Sequence, residues 1–453
     1  MTTDAHVVPF LHFEIQQPPN FFNNIDSFGI KDYNNKYDYP LNIFTCFKTA
    51  FILSFTTFGS LNTKAQQIKN YFINKTKLIS NESYNSIEQL CNIIPGATNI
   101  QTLFFIYFIK TKKIILSLLS ILIYILPPLT ISIILYYNFN SFLINITQHN
   151  TTLSDLLIYI KEGLCLISLG IIIHFILEEI IKISQSNFQV GLIIIDIIIL
   201  LIHNSLLTMV ILLIISGYLC YKNKESEYLI MRIDTNVKQS IIEYTIKHKY
   251  FSILGNISLI LYVTIFIALI VDLYYDIIWE GEEMIKIYFI SSFIFIDYAT
   301  LAMILCLFEF NIKLLLISFA IVMILPGGHI LNVLIVMLTA LGNDQLVYLP
   351  FIGMFCYLPS VFSICWFTYF MPWINENVTL QFWLIGMKTC TLSFVIRVFF
   401  QLYYVICIKN EIYGGTLSTS LVIAICLCLK KKYTLLSIIM GIGLSVLLGY
   451  IMQ

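Results

Sequence analysis

The sequence predicts an all-α, polytopic helical membrane protein. Its two homologous halves are predicted to be related as an inverted repeat, with short half-helices that start at Pro-Gly. Of the 453 residues, 58% are hydrophobic and only 11% are charged, whereas an ordinary soluble domain carries about 25% charged residues. Ile, Leu and Phe form long unbroken runs, unlike the short alternating segments of a transmembrane barrel. Soluble and disordered proteins are therefore excluded.

Charges and motifs exclude further functional classes. Lys and Arg together number 26, as do Asp and Glu, so no basic surplus exists to bind nucleic-acid phosphates. No HExxH, P-loop or GxSxG motif occurs, which argues against the enzyme classes that carry them. The 11 cysteines lie mostly in apolar runs and form no CxxC pair, so we expect buried thiols rather than disulfides. We predict no enzyme, no cofactor and no metal site.

The apolar runs place the helices along the chain. Residues 1–42 are polar and Asn-rich, without a secretory signal, and we expect a disordered cytoplasmic tail. A helix needs about 20 apolar residues to cross a bilayer, and several runs are shorter, as in the half-helices of transporters built from repeats. The predicted spans are 43–58, 96–109, 114–137, 153–177, 190–203, 205–221, 252–271, 285–308, 314–325, 329–341, 346–370, 380–408, 416–429 and 434–452.

Charged loops predict the direction of the spans, since cytoplasmic loops carry excess Lys and Arg. The loop 110–113 holds three lysines and is predicted to be cytoplasmic, whereas the uncharged loop 138–152, with two glycosylation sequons, is predicted to lie outside. The basic linker 222–249 returns to the cytoplasm only if a hairpin is broken at Asn204-Ser205. The predicted domains are a first repeat at 43–221, a linker with one extra span at 222–279, and an oppositely oriented second repeat at 280–453.

Two similar segments mark the two halves. Pro95-Gly96 and Pro326-Gly327 each precede a short apolar run, and each is followed by an amide side chain six residues after the proline, Gln101 and Asn332. Proline fits the first turn of a helix, so each segment is predicted to open a helix at membrane depth. The free N–H groups and the positive end of the helix dipole would then form an anion site.

These motifs resemble those of the chromate ion transporter family. The run 55–60 looks like the family's SFGGP-like motif, and 94–97 with Gln101 looks like its LPGP-like motif; 325–328 with Asn332 is similar to a second-half copy. Pro127-Pro128 and Leu358-Pro359 match the family's Leu-Pro helix terminus. The segments 163–168 and 388–393 look like paired repeat positions.

The resemblance covers about 43–221 and 280–452 and implies transport of chromate, with sulfate as a similar oxyanion. Three departures bear on the substrate more than on the fold. The first motif lacks one Gly and its Pro, both LPGP-like motifs lose their second Pro, and the second-half glycine motif falls on Ile-Ser-Ser-Phe at 290–293. The predicted substrate-binding residues are Gly59, Ser60, Pro95, Gly96, Gln101, Pro326, Gly327, His329, Asn332 and Arg397.

Ionisable residues inside apolar runs complete the candidates, since a charge at membrane depth costs about 2.5–3.5 kcal/mol on insertion scales. Arg397 either pairs with the anion, because Arg holds oxyanions bidentately, or forms a structural pair with an acid such as Asp297, or snorkels. Lys388 is expected to snorkel. Asp297 and Asp196 are candidates for carrying a coupling proton, with a structural role as the alternative. His329 either donates to the anion or only packs.

The functional hypothesis is secondary-active transport of a small oxyanion, chromate or sulfate, by alternating access between the two halves. Two alternatives remain open: a transport-inactive scaffold that keeps the fold, suggested by the degenerate 290–293 segment, and an anion channel. The expected partners are the anion and the lipid bilayer. A homodimer is compatible with the sequence, which does not identify the membrane.

Overall fold

The computed structural model describes residues 42–57, 61–91, 97–149, 151–183, 186–203, 205–223, 250–275, 312–325, 357, 360–370, 374, 377–409 and 443. Within these ranges the regular elements are helical. The predicted tail at 1–42 lies almost wholly outside them, as do the predicted spans 285–308, 329–341, 416–429 and 434–452. The described helices are α1 Ile43–Thr56, α2 Leu61–Asn70, α3 Asn81–Cys91, α4 Thr98–Thr111, α5 Ile114–His149, α6 Thr151–Ile183, α7 Asn187–Ile202, α8 Leu206–Asn223, α9 Tyr250–Tyr275, α10 Ile312–Ile324, α11 Ser360–Phe370 and α12 Val378–Tyr403.

Hydropathy and helix length identify a multi-pass membrane protein. Among the described residues, three stretches are long and apolar enough to cross a bilayer: Ile114–Ile131, Ile160–Ile181 and Val378–Ile406. Shorter apolar helices accompany them, and α1 and α7 have only 14 and 16 residues. Many isoleucines of α7 and α8 are exposed, which suits contact with lipid tails.

Between α1 and α4 the chain forms polar helices that the hydropathy pattern does not predict. Helix α2 continues as a π-helical turn, Tyr71–Lys75, and α3 follows. Helix α3 packs on α4, and α2 also contacts α4. Helix α4 is the centre of this half, since every residue from Thr98 to Phe108 is buried, and a helix that is apolar nearly all round belongs in a core.

Helix α5 corrects two predictions. The Pro127-Pro128 pair was expected to resemble a helix terminus, within a span predicted at 114–137, and 138–152 was expected to form a loop, but α5 runs through both prolines to His149. A proline inside a helix removes the usual donor of the carbonyl four residues earlier, which here affects the carbonyls of Ile123 and Tyr124. The Thr130 hydroxyl donates to two other carbonyls, those of Leu126 and Pro127, at 3.1 and 2.8 Å.

The predicted break at Asn204-Ser205 is confirmed by the ends of α7 and α8. Helix α7 ends at Ile202 and α8 begins at Leu206, with the Ser205 hydroxyl accepting from the Thr208 N–H at 3.2 Å. The Ser216 hydroxyl reaches the Asp196 carboxylate at 3.1 Å. That contact requires the two helices to fold back on each other, as a hairpin.

Helix α12 packs across three earlier helices. It packs against α6, α7 and α8, while α10 packs on α6. The α8–α12 crossing is close because both helices present glycine: a Cβ on Gly386 would collide with the Ser216 carbonyl oxygen, and one on Gly217 would lie 2.7 Å from Trp383 Cε3. Small residues at crossings are a common packing device in membranes. The six described cysteines are free and buried, as expected: Cys46, Cys91, Cys165, Cys220, Cys365 and Cys390.

Candidate functional site

The start of α4 lies directly after the Pro95-Gly96 segment. Its N-cap, Ala97, has extended backbone and offers no capping side chain. The first N–H groups of a helix have no partner within the helix, and they carry the positive end of the helix dipole. This end of α4 therefore has the chemistry of an anion-binding helix start.

Buried polar side chains surround that start. Thr98, Asn99, Gln101 and Thr102 are all buried, with Gln101 fully so. The Thr98 hydroxyl oxygen has no hydrogen-bond partner among the described residues, although Thr98 is only 7% exposed. Because a buried hydroxyl without a partner is costly, Thr98 marks a place where a polar ligand would be stabilised.

Two serines of the second half contact the same helix start. The Ala97 N–H donates to Ser360 Oγ at 2.9 Å, and Gln101 Nε2 donates to Ser363 Oγ at 3.2 Å. Both serines are buried at the start of α11. The Leu358-Pro359 pair just before them was a visible sequence signal, but the spacing of the serines alone did not indicate a contact with the first half.

A buried lysine is a second feature that sequence reasoning missed. Lys64 is only 1% exposed and lies four residues after Ser60, at the end of the glycine motif. Lysine is almost never fully buried unless it is paired. A lysine four residues after the glycine motif was the available signal, but its burial depends on how α2 packs.

The neighbourhood of Lys64 is polar. The Tyr84 hydroxyl donates to the carbonyl of Ala65, the residue after Lys64, at 3.0 Å. Burial, followed by the Glu88 carboxylate, raises the pKa of the Tyr84 phenol well above its usual value. Tyr84 is therefore a neutral hydrogen-bond donor over the whole physiological pH range.

Comparison with known proteins gives one family match. Residues 44–221, which span α1 to α8, match the family described as Chromate transporter. Over these residues the chain is similar to that family. No curated protein and no solved structure gives a significant match. The matched segment, 44–221, nearly coincides with the predicted first repeat, 43–221, and the similarity points to ion transport across a membrane.

The basic residues of α12, which lies outside the matched segment, have protein partners. Arg397 Nη1 donates to Gln401 Oε1 at 2.9 Å, one turn later on α12. Lys388 Nζ lies 3.6 Å from Glu179 Oε2 of α6, and Glu179 is 7% exposed. Lys388 was expected to snorkel, but instead it forms an ion pair between helices, because a buried acid faces it.

The remaining predicted site residues divide into two groups. Gln101, Arg397 and Asp196 are described, on α4, α12 and α7 respectively. Asp196 is 2% exposed and accepts hydrogen bonds from Ser216 Oγ at 3.1 and 3.3 Å. The others lie outside the described residues, and their roles remain predictions: Gly59, Ser60, Pro95, Gly96, Pro326, Gly327, His329, Asn332 and Asp297.

Proposed function

We propose that this protein is a secondary-active transporter of a small oxyanion of the chromate or sulfate type. The anion is bound at the start of α4 and moved by alternating access between the two halves, 43–221 and 280–453. The single observation that carries this proposal is the uncapped α4 start, where a buried Thr98 hydroxyl has no partner among the described residues.

The chemistry of this site suits a tetrahedral dianion. Successive backbone N–H groups at a helix start donate to anion oxygens without bringing a counter-charge, while the Thr98 hydroxyl and the Gln101 amide add side-chain donors. Two negative charges also call for positive charge nearby. Lys64, buried on a helix that contacts α4, supplies it in this proposal.

The contact between halves supports a moving site rather than a fixed pore. Ser360 and Ser363 of α11 hold the α4 start through two hydrogen bonds. In transporters with repeats, the substrate site lies at the interface of the repeats, and rocking of one against the other exposes it to alternate sides. When an anion binds, its oxygens would replace the two serines as acceptors for the Ala97 N–H and the Gln101 amide. Anion binding would then loosen the contact between α4 and α11.

Uptake of radiolabelled sulfate and chromate into proteoliposomes tests the proposal. Saturable uptake that each anion inhibits for the other is expected, and Gln101→Leu should reduce it strongly, whereas Thr111→Val, at the far end of α4, should not. Uptake equal to that of protein-free vesicles, together with no anion binding, would identify a transport-inactive scaffold. Large uncoupled currents across a bilayer would identify a channel.

A further inference from the structure

Helix α7 buries one carboxyl in an otherwise apolar segment. Asp196 is the only charged residue of Asn187–Ile202, and it is 2% exposed. Its neighbours Ile194, Ile195, Ile198 and Ile199 are exposed on the other face of the helix. Asp196 therefore points away from the lipid-facing side and into the interface with α8 and α12.

The groups around Asp196 come from two other helices. Ser216 Oγ of α8 donates to Oδ2 at 3.1 Å and lies 3.3 Å from Oδ1, and Cys390 and Ser393 of α12 are also within hydrogen-bonding reach. The titratable groups that face Asp196 from the described helices are Cys390 of α12 and Cys220 of α8.

The charges of α12 are engaged elsewhere. Lys388 pairs with Glu179 of α6, and Arg397 donates to Gln401. Among the described residues, the groups that reach Asp196 are hydroxyls and thiols, which can donate to a carboxylate or accept from a carboxylic acid. An ionised carboxylate buried without a cation is so costly that the group instead holds a proton.

We propose that Asp196 is a proton-binding site whose proton fastens the α7–α8 hairpin to α12. The neutral acid suits the dry interface and hydrogen-bonds to residues of both helices. When the acid gives its proton to water, a carboxylate remains at an interface with no room to hydrate it. That charge favours separation of the hairpin from α12.

Asp196 lies next to the crossing of α8 and α12, so its protonation affects how these two helices pack. Ser216 adjoins Gly217, and α8 and α12 approach each other closely at Gly217 and Gly386. A charge one residue from this crossing acts where the helices have least freedom to adjust. Since α12 belongs to the second predicted half and the hairpin to the first, protonation links to the movement of the halves; that link rests on the function proposed above.

Thermal unfolding of the anion-free protein in detergent tests proton binding without requiring transport. Above about pH 4 the unfolded chain releases the carboxyl proton that the folded state still holds, so the Tm should fall as pH rises until the folded acid itself ionises. Asp196→Asn, which keeps the size and hydrogen bonding of the acid, should abolish this fall. Glu82→Gln, at an exposed acid of α3, should retain it.

Several results would overturn the proposal. One is a pH-dependent Tm that persists in Asp196→Asn; another is a wild-type Tm that ignores pH but responds to sodium ions. If Asp196→Asn does not fold, infrared spectroscopy of the wild type replaces it. A carboxylic-acid C=O band that titrates and shifts in Ser216→Ala supports the site, and absence of any such band at acid pH excludes it.

The link to transport has a separate readout. In proteoliposomes, a pH gradient should drive sulfate accumulation in the wild type and in Glu82→Gln but not in Asp196→Asn. If the wild type moves no anion at all while its Tm still depends on Asp196 and pH, the proposed function fails and the proton site stands. If anion moves regardless of the pH gradient, the coupling is overturned.

Discussion

At the scale of single residues, the Thr98 hydroxyl gives the sharpest prediction. Thr98→Val removes a buried hydroxyl that has no partner among the described residues. The anion-free protein should therefore keep its Tm or gain slightly. A lost hydrogen bond to a charged ligand is worth about 1.5–3 kcal/mol, so the Kd for sulfate or chromate should rise about 10- to 100-fold. Equal affinity of Thr98→Val and of the control Thr111→Val would contradict this role.

Lys64 gives a second prediction at this scale. Lys64→Met keeps the length of the side chain and removes its charge, so anion affinity should fall about 10-fold or more. Lys75→Met, at an exposed lysine of the adjoining π-helical turn, should bind normally. Radioligand binding to purified protein measures both. If folded Lys64→Met protein binds the anion with unchanged affinity, Lys64 has a structural role only.

The sequence indicated Gln101 but not its neighbours. Gln101 could be predicted because it lies six residues after Pro95, a spacing that Asn332 repeats after Pro326. Lys64 and Ser360 belong to no repeated pattern. Lys64 stands out because it is buried, and Ser360 because it accepts a hydrogen bond from Ala97, 263 residues away in the chain. Long-range contacts of this kind depend on how helices pack, which local hydrophobicity does not specify.

At the scale of elements, the close crossing of α8 and α12 predicts a stability effect. Gly386→Ala would place a methyl group against the Ser216 carbonyl oxygen, and overpacking of this kind costs about 1–3 kcal/mol. Gly191→Ala, on α7, meets nothing within 4 Å and should be neutral or slightly stabilising, since Ala favours helix over Gly. Thermal unfolding in detergent compares the two. Equal Tm values would mean that the crossing is looser than described.

Most described helices were predictable because apolar runs mark membrane helices directly. The predicted span 190–203 corresponds to helix α7, Asn187–Ile202, and the predicted span 205–221 corresponds to helix α8, Leu206–Asn223. The failure was at α5, where Pro127-Pro128 and an Asn-rich stretch favoured a helix end and a loop. Helix α5 nevertheless continues through both prolines, and the Thr130 hydroxyl adds hydrogen bonds to the carbonyls of Leu126 and Pro127. The polar helices α2 and α3 were missed since their pattern is amphipathic rather than apolar.

At the scale of the whole molecule, the hairpin of α7 and α8 sets the topology. Because the chain turns back at 203–205, residues 186 and 222 should lie on the same side of the membrane as Lys112. Single cysteines introduced at Lys112, Ser186 and Lys222 should therefore react with an impermeant thiol reagent from one side. A cysteine at Asn150 should react from the other. Labelling of position 222 from the Asn150 side would refute the inverted arrangement.

The central claim is that an oxyanion binds at the start of α4, between the two halves. The most direct measurement is an anomalous difference map from crystals soaked in chromate, because chromium locates the anion itself. We expect a peak within hydrogen-bonding distance of the first N–H groups of α4 and of the Thr98 hydroxyl, and we expect sulfate to displace it. A protein that transports chromate but shows its anomalous peak away from the α4 start would contradict the account.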